Sequence, residues 1–219
     1  MPTYTHKYTP RRIVALGAAV IMVVLLSVTH PFSARAEMAS LKQATGEMSI
    51  GRADAPITLD EYASLTCGHC ARFHKDTLPE IKKKYVDTGK VRIVFHDFPL
   101  DGLAVGAVMI ARCSGPDRFA DFTDMLFQTQ ANWRDSKNPL NALIALARFY
   151  GLGGQDVNAC LKNKDLLNFV QRNRDNASSA HAITSTPTFI VDGKKIEGAQ
   201  PFDVFKTALD AALAAHGAT

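Results

Sequence analysis

About 40 residues, Pro56 to Phe98, read as strand, helix and strand, with two cysteines at the first junction. Pro56 to Ala63 carries Ile57, Leu59 and Tyr62 and reads as a strand. It runs through Ser64-Leu65-Thr66 into Cys67-Gly68-His69-Cys70. Phe73, Leu78, Ile81 and Tyr85 then recur at helical spacing to about Val86, with a kink expected at Pro79 and a stop at Gly89. Val91 to Phe98 reads as a buried strand. Together these make a βαβ unit, whose crossover is right-handed in almost all known cases.

Beyond Phe98 the period changes. From Leu103 to about Ile183 the pattern is helical, with Phe119, Phe122, Met125 and Leu126 on one face. Leu140, Leu143, Ile144, Ala147 and Tyr150 form the next apolar face. Strand character returns at Thr186-Pro187-Thr188-Phe189-Ile190-Val191. Asp192-Gly193 is a hairpin turn, and Lys194 to Glu197 is the return strand. Pro201 opens an amphipathic helix through Val204, Leu209 and Leu213. Upstream, residues 37–54 are polar, with one short strand expected at Met48–Ile50. The order is β-α-β, a helical block, then β-β-α. Gly151-Leu152-Gly153-Gly154 lacks the spacing and the preceding strand of a dinucleotide loop.

The charge is concentrated at one end. Net charge is +4, and residues 1–36 hold Lys7, Arg11, Arg12 and Arg35 with no acid, so the rest is neutral. No basic cluster interleaved with aromatics points to nucleic acid, and Lys82-Lys83-Lys84 reads as a solvated helix face. Lys7, Arg11 and Arg12 precede an apolar run from Ile13 to Val28, followed by Ala34-Arg35-Ala36. A basic start, a short apolar stretch and an A-x-A site describe an export signal at 1–36, cleaved after Ala36. The alternative is an uncleaved N-terminal membrane anchor.

Export changes how the four cysteines read. A C-x-x-C at the end of a strand and the start of a helix, in an exported chain, points to redox chemistry. The helix start aims free N–H groups and the positive dipole end at Cys67, which lowers its pKa. Cys70, one turn inside, stays a thiol until it is needed. Cys67 is therefore the nucleophile and Cys70 the resolving thiol. His69, between them, is positioned to stabilise the Cys67 thiolate. Glu61 sits inside the incoming strand, on the face opposite Asp60 and Tyr62, where a carboxylate is costly unless used. It is a candidate proton carrier for Cys70, with Asp60 the alternative. Pro187 suits the first position of a strand, and a cis bond there would offer the Thr186 backbone to an incoming peptide. His74, His96 and His181 show no partner pattern.

Cys67-Gly68-His69-Cys70 after the strand holding Glu61, with Thr186-Pro187-Thr188-Phe189 before Asp192-Gly193, resembles the thioredoxin superfamily. The helical block between the two motifs is similar to that of exported DsbA-like thiol:disulfide oxidoreductases. The resemblance implies an α/β thioredoxin fold with an inserted all-helical domain. It places a discontinuous thioredoxin-like domain at 37–98 and 184–219, and the insertion at 99–183. It implies a catalytic set of Cys67, Cys70, His69, Glu61, a cis Pro187 and Thr186, with no cofactor and no metal. It also implies a structural disulfide between Cys113 and Cys160, the alternative being two free buried cysteines. The partners it implies are reduced or unfolded exported proteins and a membrane redox protein that reoxidises the enzyme. Its compartment is the periplasm.

The sequence departs from the oxidase pattern at two points. Gly68 stands where DsbA-type enzymes carry proline, and Thr186 stands where the best-known oxidases carry valine. An isomerase or reductase on the same fold is therefore the first alternative. Isomerases of this type carry a separate dimerisation domain, and the 30 residues between the expected cleavage site and Cys67 leave no room for one, so a monomer is expected. A metal-binding module using Cys67, Cys70 and His74 is the second alternative.

Overall fold

A computed structural model describes residues 1–3, 5 and 37–218. The chain divides into two units, Met1–Ala34 and Arg35–Thr219, and the fold is that of the second. The export signal expected at 1–36 lies almost wholly outside the described residues. Among the described residues, no helix is long and apolar enough to cross a membrane.

A five-stranded sheet is formed by β1 (Met48–Ile50), β2 (Ile57–Ala63), β3 (Val91–Asp97), β4 (Thr188–Val191) and β5 (Lys194–Glu197), in the order β1-β3-β2-β4-β5. β2 and β3 run parallel and the other pairs are antiparallel. Alternation along β2 puts Ile57, Leu59 and Glu61 on one buried face and Tyr62 on the other. The β4–β5 turn takes positive φ at both central residues, Asp192 (48°) and Gly193 (73°). That conformation matches the twist of the strands it joins, and aspartate and glycine tolerate it.

The helix after β2 is interrupted earlier than the proline suggests. α2 (Gly68–Asp76) ends at Thr77, and α3 (Leu78–Ile81) carries Pro79 in its first turn, where a missing N–H costs nothing. One π-helical turn at Lys82–Val86 follows. Phe73 of α2, Phe189 of β4 and Phe205 of the last helix, α10 (Phe202–Ala215), pack with ring centroids 4.4–5.3 Å apart. Val204, expected on the core face of that helix, is exposed, and Phe205 fills the core instead.

The strands β3 and β4 are separated by α4 (Gly102–Cys113), α5 (Pro116–Gln128), α6 (Gln130–Arg134), α7 (Pro139–Ala147), α8 (Gly154–Lys162) and α9 (Lys164–His181). They enclose a second core around Phe122, Leu126, Trp133 and Leu143. Leu140, expected on that apolar face, is exposed at the start of α7. Cys113 at the end of α4 is bonded to Cys160 in α8. A bridge across that sequence separation restricts the unfolded chain by about 4 kcal/mol in the loop-entropy account.

A buried ion pair joins the layers. Arg112 of α4 pairs with Asp97 at the end of β3, and both are almost fully buried. The guanidinium also donates to the carbonyls of Ala44 (2.9 Å) and Gly46 (3.0 Å), and lies over the rings of Phe119 and Phe169. The two carbonyls follow from α1 (Leu41–Ala44), a short helix that the polar sequence did not announce. Ser40 and Gln43 close it with reciprocal side-chain caps.

Candidate active site

Cys67 is the N-cap of α2, so its sulfur sits among N–H groups that have no partner within the helix. β2 delivers the chain to this point, and its loop is held from the far side by α6. Gln130 donates to the carbonyls of Leu65 (2.8 Å) and Cys67 (3.0 Å), and Arg134 donates to that of Thr66 (3.3 Å). The Arg134 charge also lies close enough to interact with the Cys67 thiolate. Across the sulfur is the turn into β4, where the Thr186–Pro187 bond is cis. The Cys67 thiol donates to the Thr186 carbonyl at 3.4 Å, over 119 residues of sequence.

The two active-site thiols titrate in opposite directions. The Cys67 pKa falls to about 5, first because the Cys70 side chain donates to its sulfur. Partial burial opposes the fall. The Thr186 side chain and the backbone N–H groups of Cys70 and His69 reinforce it. The Thr186 hydroxyl oxygen is buried and has no hydrogen-bond partner. Cys70 is fully buried, and burial pushes its thiol well above the ordinary range, with the charges of Cys67 and Glu61 adding to the effect. The pair is thus one half-exposed thiolate and one sequestered thiol.

His69 contributes differently from the sequence expectation. Its ring is exposed and bonds Arg72 at 2.7 Å, while its backbone N–H serves the Cys67 sulfur. Glu61 is buried on the face of β2 that meets α2. One of its oxygens bonds His74 Nε2 at 3.0 Å, and the other has no partner. Asp60 turns the other way and bonds His96 at 2.7 Å. His74 Nδ1 in turn bonds Asp124 at 3.3 Å. Burial alone would lower the His74 pKa, but the Glu61 and Asp124 carboxylates outweigh it and hold the imidazole at about 9. Asp124 was not expected at this site from the sequence, and His74 entered only in the metal-binding alternative with Cys67 and Cys70. The spacing offered one signal: His74 follows Cys70 by four residues and so shares its helix face.

Both His74 nitrogens are committed to carboxylates, which removes it from the alternative metal set with Cys67 and Cys70. Among the described residues, no cluster of three or more His, Cys, Asp or Glu side chains is placed to hold a metal.

A dithiol at a helix start beside a cis-proline loop, on two neighbouring strands of a five-stranded sheet, is the active-site plan of thioredoxin-like proteins. Residues 43–211 match the thioredoxin family, and the chain belongs to it. It is similar to alpha-DsbA1 of Wolbachia pipientis, at 29% identity and a TM-score of 0.73, over 78% of this chain and 92% of that one. It is 30% identical over 168 residues to a Rickettsia felis protein described as a protein-disulfide oxidoreductase, covering 76% of this chain and 60% of that one. It is 27% identical over 173 residues to disulfide bond formation protein D of Bacillus subtilis, covering 77% and 78% of the two chains. The chain therefore spans about three-fifths of the length of its Rickettsia relative. The fold is the thioredoxin fold with helices inserted, as in DsbA-like proteins.

Proposed function

We propose that the protein is a thiol:disulfide oxidoreductase that passes the Cys67–Cys70 disulfide to exported proteins. The observation that carries this reading is the split between the two thiols. A thiolate stable at neutral pH favours the reduced protein, and so makes the disulfide a strong oxidant. In the first step a substrate thiolate attacks Cys67 Sγ, and the electron pair of the broken S–S bond goes to Cys70, which takes a proton. In the second step another substrate thiolate attacks the mixed disulfide. Cys67 departs as a stable thiolate, and the substrate keeps the new disulfide. Glu61 holds or moves the Cys70 proton. The Thr186 backbone beside the cis-proline pairs with the substrate chain as a strand would.

The working protein is a monomer in an oxidising periplasm, and a membrane redox protein accepts its two electrons and restores the disulfide. Residues 37–98 and 184–219 form the catalytic thioredoxin-like domain, and 99–183 the helical insertion. Gly68 and Thr186 are the observations that favour a second reading, an isomerase or reductase on the same site. Two refolding assays separate the readings. The oxidised protein is expected to speed recovery of activity from a reduced, unfolded disulfide-containing substrate and to do little for one with scrambled disulfides. The reverse pattern would make it an isomerase.

A further inference from the structure

Cys70 poses a proton problem that its own surroundings do not solve. It has no exposed surface, yet each turnover by the proposed mechanism must bring a proton to its sulfur and later take one away. We propose that His74 and Asp124 form a relay that carries protons between Glu61, beside Cys70, and solvent. The inference rests on the thiol–disulfide exchange proposed above.

The geometry is a continuous chain from the interior to the surface. Glu61 and His74 are 1% and 2% exposed, and Asp124 is 41% exposed. The two links are the hydrogen bonds of 3.0 and 3.3 Å. At the inner end, Glu61, one of whose oxygens is buried without a partner, lines a cavity of about 20 Å³ together with His74, Leu65 and Phe127. That volume accepts a single water molecule. At the outer end, His74, Asp124 and Lys82 line an open surface cleft of about 310 Å³. Burying a carboxylate and an imidazole side by side is costly, and an apolar pair would fill the same space. A relay gives the charges a use.

The proton balance closes. When the substrate thiolate takes Cys67, Cys70 receives a proton through Glu61 from the His74 imidazolium, and His74 is recharged from water at Asp124. In the reverse reaction each transfer runs backwards. The groups that face His74 are Glu61 from β2, and Asp124 and Gln128 from α5, with Lys82 beyond Asp124 and with Lys83 and Asp87 lining the same outer cleft. His96 and Asp97 lie across the small cavity and are engaged with Asp60 and Arg112. His74 and Asp124 act through Glu61 and are positioning residues.

The test is single-turnover reduction of the oxidised full chain by dithiothreitol, read by quenching and thiol labelling between about pH 6 and pH 9. The variants are Asp124→Asn, Asp124→Glu and His74→Gln. Removing the Asp124 carboxylate lets His74 lose its proton at lower pH. The Asp124→Asn rate, relative to the parent, is therefore expected to be near one at about pH 6 and to fall to about one tenth by pH 8.5. Asp124→Glu restores it. His74→Gln is expected to be about tenfold slow throughout. A relative rate for Asp124→Asn that does not change with pH would overturn the relay, because a purely structural role slows the reaction equally at every pH. Should His74→Gln fail to fold, the half-exposed Asp124 variants still decide. If the parent does not exchange at all, the proposed function falls, and the relay with it.

Discussion

Replacing Cys67 with serine is expected to reduce disulfide exchange to the uncatalysed background, whereas Cys70→Ser is expected to accumulate substrate adducts. The asymmetry follows from the two environments. Cys67 is half-exposed, and with a pKa of about 5 it is almost entirely ionised at neutral pH. Only it can be reached by, or attack, a protein sulfur. A serine hydroxyl at that position neither ionises nor forms the mixed disulfide. Cys70 is buried and protonated, so its loss leaves intact the attack of the Cys67 thiolate on a substrate disulfide and removes the thiol that would resolve the mixed disulfide. Non-reducing gels of the two variants, incubated with a substrate that carries a disulfide for the Cys67 thiolate to attack, separate the outcomes. The parent's Cys67 is further expected to react with iodoacetamide at a nearly constant rate from about pH 8 down to pH 6, where an ordinary thiol slows roughly tenfold per unit. Adducts on Cys67→Ser, or a steep fall in alkylation across that range, would reassign the nucleophile.

The second large effect is on stability. Arg112→Met is expected to cost about 3–5 kcal/mol, because it leaves the Asp97 carboxylate buried without its partner. It also strips the donors from the Ala44 and Gly46 carbonyls, which fix the chain before β1. Asp97→Asn is expected to destabilise as well, since the guanidinium keeps its charge in the same apolar surroundings. Both losses remove parts of one network, so the double variant should cost less than the two single costs added together. Urea unfolding of the three variants measures this. A loss under about 1 kcal/mol for Arg112→Met would mean that the pair is solvated rather than buried.

The parts of the fold that were legible in the sequence are those with strong local signals. β2 and β3 are runs of β-branched and aromatic residues, and Asp192-Gly193 dictates its own turn. Cys67 and Cys70 carry their chemistry in their spacing and in the strand-to-helix junction around them. α1 was missed because Leu41-Lys42-Gln43-Ala44 is too short to show an apolar period; its reciprocal cap was the only signal. Leu140 and Val204 were placed in the core because helical periodicity identifies an apolar stripe but not its edges. At the site, Glu61 could be narrowed by alternation, but its partner could not be read. His74 and Asp124 are 50 residues apart and meet only because α5 packs against α2, a tertiary event with no local signature. Spacing likewise did not show where the His69 ring goes: its side chain bonds Arg72, one turn away.

In the proposed function, the Cys67–Cys70 disulfide oxidises other proteins because the reduced protein holds a stable thiolate. The direct test is the reduction potential of that pair against glutathione buffers, measured from about pH 4 to pH 8. A neutral-pH value well above the roughly −270 mV of thioredoxin, towards the roughly −120 mV of DsbA, is expected. A change of slope is expected near pH 5. Below it, reduction takes up two protons and the potential falls by about 59 mV per pH unit; above it, one proton and about 30 mV. A potential close to that of thioredoxin, with the two-proton slope continuing through pH 7, would mean that Cys67 is an ordinary protonated thiol. The protein would then be a reductase rather than a donor of disulfides.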